Sequence, residues 1–385
     1  MVDLACGEQF PDRVLEALKD AAVTKTAFNA AFERTCISRH LGRRLSPVSW
    51  QCTAVQSAML ALPLTLDGVG EVLNIKRKKL KEGVSLLRYF SMPCKPTKAN
   101  GGRTRNRPED APELWERFKA YCIRDVDAER EIRENLRNYP IPDSEMELYR
   151  LDQEINDRGI MVNQTLTTQA VRCDLEFKER ATAHTQRLTG LANPNSLAQV
   201  KGWLAERGIE VDSLDKKAIK GLLPQATGEV REMLMLRLLL GKTSVKKYEA
   251  IQRPVCSDRR VHGLLQFYGA NRTSRWAGRL VQVQNLPQNH IPDLALARSL
   301  VRRGEVERVE MLYDSIPGVL SKLICTAFVL KPGCRFIVAD FAAIEARVLA
   351  WFSGEQWRLD TFEQGGDIYC ASASKMFHVP VEKHG

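Results

Sequence analysis

The chain has 385 residues, 44% of them apolar, enough for more than one hydrophobic core. Its 57 lysines and arginines outnumber 47 acids, and the resulting charge of +10 favours a polyanionic partner such as nucleic acid while arguing nothing about fold. The ten cysteines are scattered without a C-x-x-C pair, no signal peptide precedes them, and no apolar run approaches the ~20 residues of a membrane span. A disulfide scaffold, a clustered zinc site and a membrane protein therefore give way to a reduced cytoplasmic protein.

Residues 1–140 read as mixed α/β. TKTAFN at 24–29 has an extended pattern, and the apolar periodicity over 29–41 predicts a helix. Residues 91–107 form a loop, with Pro, Gly and Asn breakers, five basic residues and no acid. A second, amphipathic helix spans about 113–136, and NYPIPDSE marks a boundary before the next helical run. Residues 141–250 read as mostly helical, with Leu148, Leu151 and Ile155 at helical spacing and a leucine-rich, largely buried stretch at 229–240. Gly159 and Gly208, each between Arg and Ile, read as helix stops. Strands return from 251, above all RFIVAD at 335–340, a buried strand ending on Asp340, followed by a helix with Ile344, Val348 and Trp351 or Phe352 on one face.

Asp340 at a strand end could hold a hard cation such as Mg2+ beside a cleft, or could simply cap the following helix. The whole string decides between them. Residues 340–347, DFAAIEAR, resemble D-Y-S-Q-I-E-L-R, the first polymerase motif of the family A (DNA polymerase I-like) DNA polymerases. Asp340, Ile344, Glu345 and Arg347 keep their register there. The resemblance implies that Asp340 holds both catalytic magnesium ions and that Glu345 shapes the sugar pocket, which suits two-metal phosphoryl transfer.

From 259 to 292 the chain has five arginines and no acid, and its arginines are interleaved with Trp276, Gln282, Gln284, Gln288, Asn271, Asn285 and Asn289. That mixture suits a groove contacting phosphates, sugars and base edges. It resembles the family segment T-G-R-L-S-S-T-D-P-N-L-Q-N-I-P, with Arg275 nine residues before Gln284. The match implies that Arg275, or Arg279, reads the minor groove at the primer terminus, with Gln284 and Asn285 near the duplex. GKTSVKKYEA at 241–250 resembles the end of the family's thumb, where Lys242 and Lys246 would track the backbone, and Gly366-Asp367-Ile368-Tyr369 resembles the start of its fingers. Gly241-Lys242-Thr243 also mimics a phosphate loop, but the first glycine of a P-loop ATPase would fall at Leu236.

In the first 140 residues, Tyr121 and Asp125 stand four apart, and Asn29 precedes Glu33 by four. They resemble the second and third motifs of the 3′–5′ proofreading exonuclease that precedes family A polymerases, with Glu33 where aspartate is usual and no opening Asp-x-Glu strand. The resemblance implies an α/β fold: an incomplete, degenerate RNase H-like exonuclease domain at 1–140, palm start at 141–164, helical thumb at 165–250, palm at 251–352 and the beginning of the fingers at 353–385. The expected parent is a phage or bacterial polymerase that adds dNTP to the primer 3′-OH of primer–template DNA with Mg2+ and has no membrane partner. Because a fingers Lys/Tyr helix and a His-Asp-Glu turn are not found, the chain is expected to be an inactive fragment truncated at both ends. A noncatalytic DNA-binding fragment is the competing expectation.

Overall fold

The computed structural model describes all residues except 79, 81, 243, 244, 271, 272, 288, 314 and 383–385. It divides into two compact units, Met1–Val329 and Leu330–Gly385. Both are rich in helix, and the described strands all lie in the first unit.

In the first unit, β1 (Lys25–Ala27) pairs in parallel with β2 (Trp50–Cys52), with Thr26 opposite Gln51. The intervening helix, Ala30–His40, lies within one residue of its predicted bounds. The expected second helix is Pro112–Asn135, its proline at the first turn where no amide donor is needed. Residues 91–107 are irregular apart from the final turn of the preceding helix, as their breakers require.

The next helix, Asp143–Arg158, departs from the sequence pattern in an informative way. Leu148 and Leu151 face solvent, and the buried stripe is Met146, Tyr149, Asp152 and Gln153. Met146 and Tyr149 join one core with Ala30, Leu45, Trp50 and Phe267, so this helix is held by residues from both earlier and later in the chain. It ends at Gly159, whose φ of 62° leaves a Cβ no room beside the Val261 carbonyl and the His262 ring. Gly208 likewise has positive φ just after Leu197–Ala205.

The largest core surrounds Gln164–Thr189, against which Lys246–Gln252, Leu294–Arg303 and Ile316–Leu323 pack. Beneath it lies a small antiparallel sheet in the order β4 (Arg260–Val261), β3 (Ile160–Val162), β7 (Phe328–Val329). A satellite core joins Val200, Trp203 and Leu204 to Met233 and Leu234. The helix Gly228–Leu240 is less buried than its leucines imply: only Met233 and Leu234 are fully covered and Met235 is exposed. β5 (Leu265–Ala270) and β6 (Arg275–Gly278) form an antiparallel hairpin with a register shift between Gln266 and Ala270.

In the second unit, the strand expected at 335–340 is not formed. Ile337 and Val338 are 85% and 89% exposed, and no described strand lies beside them. A β-branched run gains its stability from cross-strand pairing and from burial of a face, and here it has neither. The helices Ile344–Ser353, Gln356–Glu363 and Ile368–Phe377 follow. The expected apolar face of the first is exposed at Ile344, Val348, Trp351 and Phe352; its one buried residue is Ala350.

Candidate nucleic-acid interface and catalytic segment

The basic segment becomes the β5–β6 hairpin and the turn that follows it. Arg275 begins β6, where it pairs with Ala270, and Arg279 follows the strand with its amide donating to the Leu264 carbonyl at 2.8 Å. Both side chains are exposed. Gln284 and Asn285 close the short 3-10 turn Val283–Asn285 and are exposed as well. The Gln284 carboxamide sits against Gly278, where a Cβ would collide with it and stand 2.8 Å from Gln282 Cα. The Asn285 carbonyl accepts from Lys247 Nζ at 2.7 Å, which ties this turn to the start of the Lys246–Gln252 helix. Arg275, Arg279, Gln284 and Asn285 are thus all exposed on the hairpin and the turn that follows it in the first unit. Of the other interleaved polar residues, Asn271 and Gln288 lie outside the described residues, as does Arg272.

This hairpin rests on a buried polar network that sequence reasoning missed. Trp276 Nε1 donates to Asp152 Oδ1 at 2.9 Å. Asp152 Oδ2 accepts from Gln153 at 3.0 Å and from Asn156 at 3.1 Å. Asn156 also clasps β5 at both groups of Leu265, donating to its carbonyl and accepting from its amide at 2.9 Å each. Asp152 is 2% exposed; burial pushes its pKa up to about 6, against the opposing pull of the Trp276, Gln153 and Asn156 hydrogen bonds and the Arg279 charge. The Trp276 ring meets Phe267 edge-on at 5.5 Å, and Phe267 meets Tyr149 at 6.0 Å. The one sequence signal was a tryptophan in the basic segment, since the apolar periodicity of the 143–158 helix pointed to Leu148 and Leu151 rather than to the side that carries Asp152.

Lys246 is exposed at the head of its helix, whereas Lys242 is half-buried, with its pKa lowered first by burial and then by the charges of Lys216 and Lys322. Thr243, the last residue of the phosphate-loop mimic, lies outside the described residues.

In the second unit, Asp340 is exposed and stands four positions before Ile344, the first residue of the Ile344–Ser353 helix. The residue in the capping position is Ala343, at φ 50° and ψ 40°, so Asp340 is not the N-cap. Glu345 is exposed in the first turn of that helix. Arg347 folds back, its Nε donating to the Ala342 carbonyl at 2.9 Å and its guanidinium lying 4.2 Å from the Phe362 ring. Asp367, by contrast, caps the Ile368–Phe377 helix, accepting from the amides of Tyr369 and Cys370 at 2.8 and 3.2 Å.

The exonuclease-like residues come from two helices. Asn29 stands at the N-cap of Ala30–His40 without a side-chain capping bond, and Glu33 lies in the first turn. Burial raises the pKa of Glu33, and the negative charge of Glu129 adds to the effect. Glu129 is itself buried and accepts from Thr53 Oγ1 at 2.5 Å. Tyr121 is buried, its ring packed so closely on Gly83 that a Cβ there would overlap it. Asp125 follows one turn later on the same helix. Among the described residues, no three His, Cys, Asp or Glu side chains gather into a group that could hold a metal ion, either here or around Asp340. No described helix is long and apolar enough to cross a membrane.

Comparison with known proteins sets this geometry in a family. Residues 166–385 match the model of DNA polymerase family A. The chain is 53% identical over 383 residues to the DNA polymerase of Bacillus phage SP02, across 99% of this chain and 59% of that protein. It is 51% identical over 53 residues to DNA polymerase I of Chloroflexus aurantiacus, 14% of this chain and 6% of that protein. The fold resembles the POL domain of Pol1 from M. smegmatis, solved in complex with DNA primer-template and dNTP, at a TM-score of 0.57 and 18% identity, covering 97% of this chain and 58% of that one. The chain thus spans somewhat over half the length of these two long matches. With the family model covering more than half of the chain and a relative matched along nearly all of it, this chain belongs to the family A DNA polymerases, of the phage and bacterial type.

Proposed function

We propose that this chain serves template-directed DNA synthesis, in which a primer 3′-OH attacks the α-phosphate of a dNTP, in the cytoplasm of a bacterial host. The observation that carries this reading is the family match over 166–385, which takes in both the basic segment at 273–287 and the string at 340–347. Arg275 and Arg279 would engage primer–template DNA from the β5–β6 hairpin, with Gln284 and Asn285 on the turn beside them and Lys242 and Lys246 along the backbone. Asp340 would be a magnesium ligand and Glu345 a wall of the sugar pocket. The described residues gather no complete metal-binding group, so one or more further ligands must join Asp340 before a two-metal site exists. We assign the palm, thumb and fingers boundaries as read from the sequence, and the first 140 residues to a degenerate 3′–5′ exonuclease domain.

A noncatalytic DNA-binding role is the second reading, favoured by the finding that, among the described residues, Asp340 belongs to no group of three His, Cys, Asp or Glu that could hold a metal ion. Both readings require DNA binding through the hairpin. The test is the affinity for primer–template measured across salt concentration. Arg275→Ala should weaken binding and lower the slope of log affinity against log salt by about one, as expected for one lost phosphate contact. An unchanged slope for both Arg275→Ala and Arg279→Ala removes the hairpin from the DNA interface.

A further inference from the structure

A cavity of about 750 Å³ in the first unit lies between the second half of the Pro112–Asn135 helix, the end of β2 and the segment that leads into the Asp143–Arg158 helix. It uses its own side of the long helix. Tyr121, Ala128 and Ile132 are buried on one face, which Asp125 shares. Asp127, Arg130, Glu131 and Glu134 line the cavity; they run two residues out of step with Asp125, which at about 3.6 residues per turn is the opposite face. The three acids on the wall are already engaged. Asp127 pairs with Arg77 at 3.3 Å and Glu134 with Arg137 at 2.8 Å, and Glu131 accepts from the amides of Lys76 and Arg77 at 2.8 and 3.1 Å. Five basic side chains stand against these acids, and within the described residues the guanidinium groups of Arg130 and Arg133 have no hydrogen bond or ion pair. The remaining wall is apolar and fixed. Ile141 and Met146 belong to the core around Trp50 and Phe267, and Gln56 Nε2 donates to the carbonyls of Leu136 and Tyr139 at 3.0 and 2.9 Å, which holds the segment between the two helices in place.

We infer that this cavity binds a free nucleoside polyphosphate. Arg130 and Arg133 stand one helical turn apart, so their planar forks reach the same ligand, and a guanidinium without a carboxylate partner is suited to a phosphate. With the acids spent on other groups, the excess of basic side chains sets the sign of the site and asks for a ligand with more than one negative charge. The preformed wall of Ile141 and Met146 gives a nucleoside ring an apolar surface to rest on, across from the arginines. The volume falls within the roughly 300–1,000 Å³ of small-ligand clefts and leaves no room for a nucleic-acid duplex. The site is built without a metal ligand and stands independently of the DNA-synthesis reading.

The test is equilibrium dialysis of the full chain against labelled ATP in the presence of EDTA, so that no metal-dependent nucleotide site contributes. Joint replacement R130A/R133A should weaken ATP binding about tenfold or more, since two charge-assisted contacts are lost. Both arginines are exposed, so their removal leaves the cores intact. K98A/R105A removes the same charge from the exposed loop at 91–107 and should change ATP binding less than about twofold, as expected for screened charges away from the ligand. Inorganic pyrophosphate and adenosine should each compete about fivefold less well than ATP, because each keeps only one half of the ligand. Absence of ATP binding to the unaltered chain at millimolar concentration, or a loss in R130A/R133A no greater than in K98A/R105A, overturns the site. Competition by pyrophosphate as strong as that by ATP overturns the nucleoside as part of the ligand.

Discussion

Trp276 donates its indole N–H to Asp152 at 2.9 Å, across 124 residues of sequence, and so fastens the arginine-bearing hairpin to a helix laid down much earlier in the chain. The acceptor is a carboxylate held against its ordinary preference. Burial raises its pKa from 3.8 to about 6, which corresponds to about 3 kcal/mol of folded-state cost when it is ionised. Between those two values the folded chain binds more protons than the unfolded one, so stability falls as pH rises from about 4 to about 6 and then levels off for this group. Asp152→Asn should flatten that dependence without loosening the fold at neutral pH. Urea unfolding at pH 4.5 and 6.5, followed through the Trp276 indole resonance, measures it. A variant that keeps the wild-type pH slope would mean that another group carries it.

A second long-range tie predicts a different behaviour. Arg34 is buried and forks onto both oxygens of Asp157 at 2.7 and 2.8 Å, with the Leu45 carbonyl at 3.0 Å. Removing one partner strands the other charge in the interior. Arg34→Ala should therefore cost about 3–5 kcal/mol, whereas Arg34→Met combined with Asp157→Leu should cost far less, because a buried pair offsets its own desolvation only partly. A double-mutant cycle in urea checks this, and additive losses would show that the two side chains act independently.

The exonuclease-like residues should not degrade DNA. Burial, and after it the charge of Glu129, raises the pKa of Glu33, and among the described residues no three His, Cys, Asp or Glu gather there into a group that could hold a metal ion. Incubation of the chain with magnesium and labelled single-stranded DNA should leave the 3′ end intact. Trimming that disappears in Asp125→Ala would show an active site assembled despite this environment.

What the sequence made legible was local. The helices Ala30–His40 and Pro112–Asn135 follow from periodicity, and the stop at Gly159 follows from the backbone conformation that only glycine adopts cheaply. What remained hidden depends on partners distant in sequence. Leu148 and Leu151 advertise a buried stripe, yet Tyr149, Asp152 and Gln153 are buried instead, because Phe267 and Trp276 arrive from the hairpin. Residues 335–340 have a strong intrinsic preference for a strand, yet among the described residues no strand pairs with them, so propensity alone misplaced them. Asp340 could be singled out only by the string around it, since the cap of the next helix falls on Ala343.

The role of Asp340 is tested most directly by primer extension. The suitable protein is a chimera in which residues 1–385 replace the matching part of the Bacillus phage SP02 polymerase. Asp340→Asn keeps the side chain's size and removes its charge. With Asp340 the chimera should add templated deoxynucleotides in a magnesium-dependent manner. With Asn it should fold and bind primer–template as before, yet fail to extend. Normal extension by the Asn variant would contradict metal binding at this residue and remove the anchor of the proposed synthesis.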